Sequence, residues 1–346
     1  MKLNKVFATL ILCSAFVLTA CQPNSNSSTS TASQDQLNSQ SFENINLNTE
    51  NMMGYLKDFQ AIADHHQANR AVGSSGGQAS ADYILKQIKK SGYHVEKIPF
   101  ENRDKVIGHN IIVEIPGQEK DNIVLLGAHY DSVKMDPGIN DNASGTVLLL
   151  DLIDQIAQQK RMPKNTIRIA FWDSEEAGIG GSQAYVNTLS DAQIKQIKAY
   201  INIDMVGTKD GEVLIADADR STIVELEKTL KQSEMRAEEY QPILDALRAI
   251  PAHAGDIALE QHLKDFLGSK KVKFKEDLSI LTATDALPFL GKVPVASLTL
   301  FNEQMKGDVL EFAPCYHQAC DTIEQVDPQS LGLVGEAVIE LLKTLA

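Results

Sequence analysis

Cysteine is scarce in this chain: four in 346 residues, at positions 13, 21, 315 and 320. A zinc site built from four thiolates is excluded, because Cys315 and Cys320 stand in CYHQAC, which lacks zinc-ribbon spacing, and no second pair completes the set. Basic residues are also in short supply, 32 Lys and Arg against 46 Asp and Glu, giving a net charge of −14. Nucleic acid is therefore not an expected partner, since its phosphates attract the opposite balance. No internal repeat is present. What the chain does have is 43% hydrophobic residues, enough for a real core, and a length that suits one large α/β domain or two small ones.

The start, MKLNKVFATLILCSAFVLTAC, carries a basic n-region, an apolar stretch from Val6 to Leu18 and small residues before Cys21. It is too short and wrongly flanked for a stable membrane span and reads as a secretory signal. Its end, Leu18-Thr19-Ala20-Cys21, resembles a bacterial lipobox; the alternative is a cleaved signal with an incidental cysteine. The expectation is a lipoprotein signal peptide over 1–20, lipidation at Cys21, a disordered tether over 21–45 and a folded domain over 46–346. The tether follows from composition, because QPNSNSSTSTASQDQLNSQS has almost no apolar surface to bury. The protein is thus expected outside the cytoplasm, held to the cell envelope by lipid, and Gln22 favours the outer membrane if the cell is Gram-negative. Export leaves Cys315 and Cys320 as an even pair in a compartment that permits a disulfide.

Periodicity organises the rest. Met52, Tyr55, Leu56, Phe59, Ile62 and Ala63 recur at helical spacing within 48–65, and a second helix is predicted from about 78 to 90 after a loop at 69–77. Strands are predicted at 93–100, 110–115 and 122–130, then a helix at 144–159, a buried strand at 166–172, a helix at 179–189 and a strand at 200–207. A further strand falls at 211–217, 221–271 is mostly helical, 294–301 is an inner strand, and Asp327-Pro328 caps a C-terminal helix. This alternation is that of an α/β fold, in which ligands bind beyond the carboxyl ends of the strands.

The polar residues gather at those ends. His129 and Asp131 close the central strand; two apart on an extended chain, they point the same way, so the carboxylate can approach the imidazole. A metal-bound histidine commonly gives its second ring N–H to such a carboxylate. Asp141 lies in GINDNASG, which on residues alone also suits an ordinary turn with Asn142 or Ser144 capping the next helix. Glu175 and Glu176 follow the 166–172 strand, where a solvated loop or the acidic first turn of a helix is the plainer reading. Asp204 sits inside an apolar run, where an ionised carboxylate is expensive unless paired or coordinating. With His317 these residues form a hard nitrogen and oxygen set suited to zinc.

In this order and context the chain resembles the M28 family of co-catalytic zinc aminopeptidases, through NRAVGSSGG, NIIVEIPG, GAHYDSV, GINDNASG, FWDSEEAGIGGS, INIDMVG and CYHQACD, from about Asn69 to Asp321. The resemblance implies a single domain with a central mixed, mostly parallel sheet flanked by helices. It implies two Zn²⁺ per chain: His129 and Asp204 on one, Glu176 and His317 on the other, Asp141 bridging both, with a cis peptide after Asp141. Glu175 is implied as general base, Tyr316 as hydrogen-bond donor to the tetrahedral intermediate and Asp131 as orienter of His129. The Cys315 and Cys320 pair matches a disulfide of several members. The implied activity is removal of the N-terminal amino acid from peptides with a free N-terminus. Two departures matter: Thr284-Asp285-Ala286 stands where many relatives carry Ser-Asp-His, and 221–280 is longer than in small members and is expected as a helical cap. The rival readings are a zinc-dependent glutaminyl cyclase on the same fold and a non-catalytic binding protein with a peptidase-like fold.

The lipid anchor is checked by fractionating cells that express Cys21→Ala. The variant is expected to leave the membrane fraction, because with the acyl chains gone nothing in the 21–45 tether can hold a bilayer.

Overall fold

The computed structural model describes residues 42, 45–160, 162–233, 235–306 and 309–346. The expected signal peptide, the lipidation at Cys21 and nearly all of the expected tether lie outside the described residues. No described helix is long and apolar enough to cross a membrane.

In chain order come α1 (Thr49–His65), α2 (Ser75–Ser91), β1 (His94–Glu101), β2 (Ile107–Ile115), β3 (Glu119–His129), α3 (Ser144–Gln159), β4 (Asn165–Trp172), α4 (Gly180–Thr188), α5 (Asp191–Gln196), β5 (Ile197–Ile203) and β6 (Glu212–Ala216). The second half adds α6 (Ser221–Gln232), α7 (Ala237–Arg248), α8 (Asp256–Ser269), β7 (Phe274–Asp277), α9 (Ser279–Thr282), β8 (Val295–Phe301), the short hairpin β9 (Gln304–Lys306) and β10 (Val309–Glu311), and α10 (Pro328–Leu345).

Eight strands form one mixed sheet in the order β1-β2-β4-β3-β5-β8-β6-β7. The inner four run parallel, while β1, β2 and the β6–β8 pairing are antiparallel. Parallel strands are buried on both faces, which explains why β3 and β4 read as near-continuous apolar runs. One face is covered by α1, α2, α3, α8 and α10, where Leu148, Leu152, Leu263 and Val338 pack with Val124 and Leu126 of β3. On the other face Tyr185 of α4, Leu230 of α6 and Leu244 of α7 pack with Leu125, Trp172 and Tyr200. The chain leaves β3 through α3 on the first face to reach β4, then returns through α4 on the second face to reach β5 on the other side of β3. That reversal opens a crevice at the carboxyl end of β3, the place where doubly wound sheets bind their ligands.

Several boundaries differ from the periodicity. Helix α2 begins at Ser75 with Ser74 as its cap, inside the segment expected as loop. Its first turn holds Gly76 and Gly77 because the backbone of Asn69 and Ala71 passes so close that a β-carbon would lie 2.0 and 2.4 Å from their carbonyl oxygens. Strand β5 stops at Ile203, one residue short of Asp204, since Met205 turns to a left-handed φ of 49°. The 221–280 stretch forms the connection between β6 and β7; its helices α6 and α7 pack on one sheet face and α8 on the other, and it supplies Ser279 and Ile280 to the wall of the crevice. At the C-terminal helix, Asp327 accepts hydrogen bonds from the Gln329 and Ser330 amides, as the Asp-Pro pair predicts.

Leu148 of α3 is fully buried in the core on the first sheet face. Leu148→Ala is expected to cost about 2–5 kcal/mol in urea denaturation, because it removes the packing contacts and leaves a cavity.

Candidate metal centre

His129 is the last residue of β3, Glu175 and Glu176 follow β4, and Asp204 follows β5, so three neighbouring parallel strands deliver their ends to one crevice. Asp141 arrives on the loop between β3 and α3, and the Asp141–Asn142 peptide is cis, as expected. His317 comes from the loop closed by the Cys315–Cys320 disulfide, with a left-handed φ of 55°. Such a conformation is uncommon for a residue with a β-carbon and marks a backbone held by its surroundings.

The distances give the centre its form. The Asp141 carboxylate lies between two imidazoles, Oδ1 at 3.2 Å from His129 Nε2 and Oδ2 at 3.3 Å from His317 Nε2. Asp204 Oδ1 lies 3.5 Å from the same His129 nitrogen, and Glu176 Oε2 lies 3.1 Å from His317 Nε2. Two donor sets therefore share one carboxylate. Asp204 Oδ1 and Glu176 Oε1 are buried without a hydrogen-bond partner. Orphaned buried oxygens on carboxylates that also lie beside imidazole nitrogens are what a cation would satisfy, and His129, Asp141 and Glu176 can present donor atoms to one ion, so the residues fit zinc.

Behind these donors, Asp131 Oδ1 is 3.4 Å from His129 Nδ1, too long for a well-aligned hydrogen bond but close enough to orient the ring with Nε2 toward the crevice. The same oxygen accepts the backbone N–H of Glu175 at 3.1 Å, so Asp131 also fixes where the acidic pair begins. Asn142 joins the Asp141 loop to β5, accepting from the Met205 amide and donating to the Ile203 carbonyl. Tyr316 stacks on His317 with ring centroids 3.8 Å apart and lines the cleft with Glu175, Ile280, Thr284, Phe301 and Phe312.

The electrostatics are those of crowded carboxylates and imidazoles. Burial raises Glu176, and Asp141 beside it adds to the effect, up to about 7. Burial likewise raises Asp204 and holds the Glu175 carboxyl well above the usual range. Burial alone would raise Asp141, but His129 and His317 outweigh it and keep it below the usual range. Burial would lower His317, yet Asp141 and Glu176 overcome that and push it up to about 11; His129 is raised in the same way by its acidic neighbours. Burial and the same carboxylates keep the Tyr316 hydroxyl protonated.

All eight residues expected at the site converge here. Asp285, in the segment where the family motif departs, is buried, accepts a hydrogen bond from Ser182 at 2.5 Å and is raised by burial to about 7. Sequence reasoning passed over Arg70 and Asp321, whose partners are backbone groups. Both lie within the segments that carry the family resemblance, NRAVGSSGG and CYHQACD, but nothing in those segments marks which backbone groups they meet. Two other features do not compete. A cavity of about 320 Å³ between β1, β2 and α4 has Arg168 in its lining, already engaged by Glu114 and Tyr185. A second acidic cluster, Asp217, Asp219, Glu260 and Glu276, already holds a cation, since Lys264 Nζ lies 3.1 Å from Glu260 and 2.6 Å from Glu276.

Comparison with known proteins agrees with this geometry. The sequence model of peptidase family M28 matches residues 110–342. Leupeptin-inactivating enzyme 1 of Streptomyces exfoliatus is 26% identical over 306 residues, 85% of this chain and 61% of the relative. An aminopeptidase of Pseudomonas aeruginosa is 42% identical over 119 residues, 34% of this chain and 22% of that protein. The chain thus spans less than two thirds of the length of these curated relatives. Among solved structures, a zinc aminopeptidase from Bacillus subtilis superimposes with a TM-score of 0.65 at 15% identity, covering 86% of this chain and 95% of that one. Porphyromonas gingivalis glutaminyl cyclase gives 0.60 at 19%, covering 86% and 98%. At such identities the likeness is one of fold.

Because Asp141 and Glu176 push His317 up to about 11, and a ligating imidazole must be neutral, zinc uptake at pH 7 is expected to release at least one proton. Calorimetric titrations in buffers of different ionisation enthalpy measure that number. The sign follows from raised histidine pKa values: zinc affinity should climb as pH rises through neutrality and fall as it drops.

Proposed function

The chain belongs to peptidase family M28, and from that premise we propose that it is a two-zinc aminopeptidase that hydrolyses the first peptide bond of substrates with a free N-terminus. The observation that carries this reading is the Asp141 carboxylate, with one oxygen beside His129 and the other beside His317. With one oxygen toward each histidine, that carboxylate is placed to serve two cations rather than one.

His129 and Asp204 would hold one zinc, His317 and Glu176 the other, and Asp141 both. When bound, the pair supplies Lewis acidity to the scissile carbonyl and makes a water molecule acidic enough to lose a proton near neutral pH. Glu175 accepts that proton as the water oxygen attacks the carbonyl carbon, then delivers it to the amide nitrogen as the carbon–nitrogen bond breaks. Its backbone N–H bond to Asp131 fixes its position, so the base and the orientation of His129 are set by one buried carboxylate. Tyr316, protonated and in the cleft wall, donates a hydrogen bond to the oxygen of the tetrahedral intermediate. Glu175 and Asp204 give the substrate's ammonium group two carboxylates to meet, which confines cleavage to the terminal residue.

Glu175→Gln is expected to keep both zinc ions and the fold while losing 10²- to 10⁴-fold in turnover, the usual cost of removing a general base. Glu176→Gln is expected to lose metal instead, since a neutral amide replaces an anionic ligand. Rates on aminoacyl anilides, set beside zinc content by elemental analysis, separate the two; metal loss in the first variant and full occupancy in the second would reverse the roles. N-acetylated anilides should resist cleavage, and pyroglutamate released from N-terminal glutamine would favour the cyclase.

A further inference from the structure

The carboxylate of Asp141 sits one methylene from its backbone, so its reach to two histidines depends on where residues 137–141 are held. Two buried charged side chains hold them, from opposite sides. Arg70 accounts for the carbonyls: Nε donates to Pro137 O at 2.7 Å, Nη1 to Tyr130 O and Nη2 to Gly138 O. Tyr130 directly follows His129, so one guanidinium ties the strand end bearing the first histidine to the loop bearing Asp141. Asp321 accounts for the amides: Oδ1 accepts from Asn140 N at 2.9 Å, Oδ2 from Asp141 N at 3.0 Å, and its own carbonyl from Ile139 N at 3.3 Å. Asp321 directly follows the disulfide that closes the His317 loop. The three segments that carry His129, Asp141 and His317 are thus registered to one another through two side chains whose hydrogen bonds go to backbone groups rather than to the donor side chains.

Stability alone is a poor reason for this arrangement. Arg70 has no exposure, and among the described residues no carboxylate is paired with it at ion-pair distance; its charge is compensated by carbonyl dipoles and by acids farther away. An apolar side chain would fill the same space without that desolvation cost. The planar fork of arginine, by contrast, suits three carbonyls whose relative positions must be fixed, and lysine cannot reproduce it.

We infer that Arg70 and Asp321 are positioning residues that set Asp141 between the two histidines, so that their loss is felt first as metal affinity and only second as stability. The inference rests on the zinc reading proposed above. Its test uses Arg70→Lys, Asp321→Asn and, as a purely structural control, Leu148→Ala. Asn keeps the shape of Asp321 but turns an N–H₂ toward one of the two amides, which breaks one of its bonds. For each protein, zinc affinity is measured by competition with a chromophoric chelator, and Tm is measured with and without zinc. Arg70→Lys and Asp321→Asn are expected to lose on the order of 10- to 100-fold in zinc affinity, as changes just behind metal ligands do, and with it much of the zinc-induced rise in Tm. Leu148→Ala should lower both Tm values together and leave affinity unchanged. Wild-type affinity in both charged-residue variants, with Tm lowered equally in either state, would make them structural staples and overturn the inference. If Arg70→Lys does not fold, Asp321→Asn decides alone. A wild-type protein that takes up no zinc would overturn the proposed function and this inference together, whereas the variant results bear on the inference alone.

Discussion

Everything else in this structure depends on one carboxylate shared between two imidazoles. Placing Asp141 between His129 and His317 brings Glu176 and Asp204 to the same crevice, and three carboxylates in a water-poor space repel one another strongly. The acidic neighbours outweigh burial and raise both histidines, while burial raises Glu175. Under the function proposed above, cations held by these donors would relieve the same repulsion.

The sheet makes this crowding affordable in geometry. Parallel strands β4, β3 and β5 end side by side, and the reversal of connection at β3 leaves their carboxyl ends uncovered by either helical layer. The ends of β4 and β5 are then turned sharply by a residue in the left-handed region: Ser174 before the acidic pair and Met205 after Asp204. His317 adopts the same conformation in the disulfide loop. These turns aim short side chains at a common point, something an extended strand or a regular helix cannot do. The cost of holding them is met by the rigid layers beneath, where the strands are buried on both faces.

What could be read from the sequence follows this division. Apolar runs such as Ile123 to Leu126 and TIRIAFW announced buried strands, and polar residues directly after them announced the crevice, because both signals are local. The His129 and Asp131 spacing was legible for the same reason. The start of α2 was not, since Gly76 and Gly77 resemble loop residues until the backbone of Asn69 and Ala71 is seen against them. Strand β7, FKED, offers no apolar alternation and exists because β6 supplies a parallel partner. Asp204 was placed within its strand rather than just past it, because the apolar run continues through Val206 while the backbone has already turned.

Arg70 and Asp321 were illegible for a deeper reason. Their hydrogen bonds reach backbone atoms 60 to 68 and 180 to 181 residues away, and a backbone carbonyl or amide leaves no mark on the sequence at the position that offers it. Ligands can be guessed because their chemistry is carried by side chains; the frame that spaces them cannot, because half of it is main chain. The same fact explains the burial of that frame. A guanidinium or carboxylate exposed to water would exchange its carbonyls and amides for solvent and lose its hold, so only full enclosure lets a single residue fix three backbone groups at once. In this fold the two residues inferred to space the metal donors are therefore among the least accessible, and for Arg70 the close approach of Gly76 and Gly77 lets the backbone of residues 69–71 pass tightly against the start of α2.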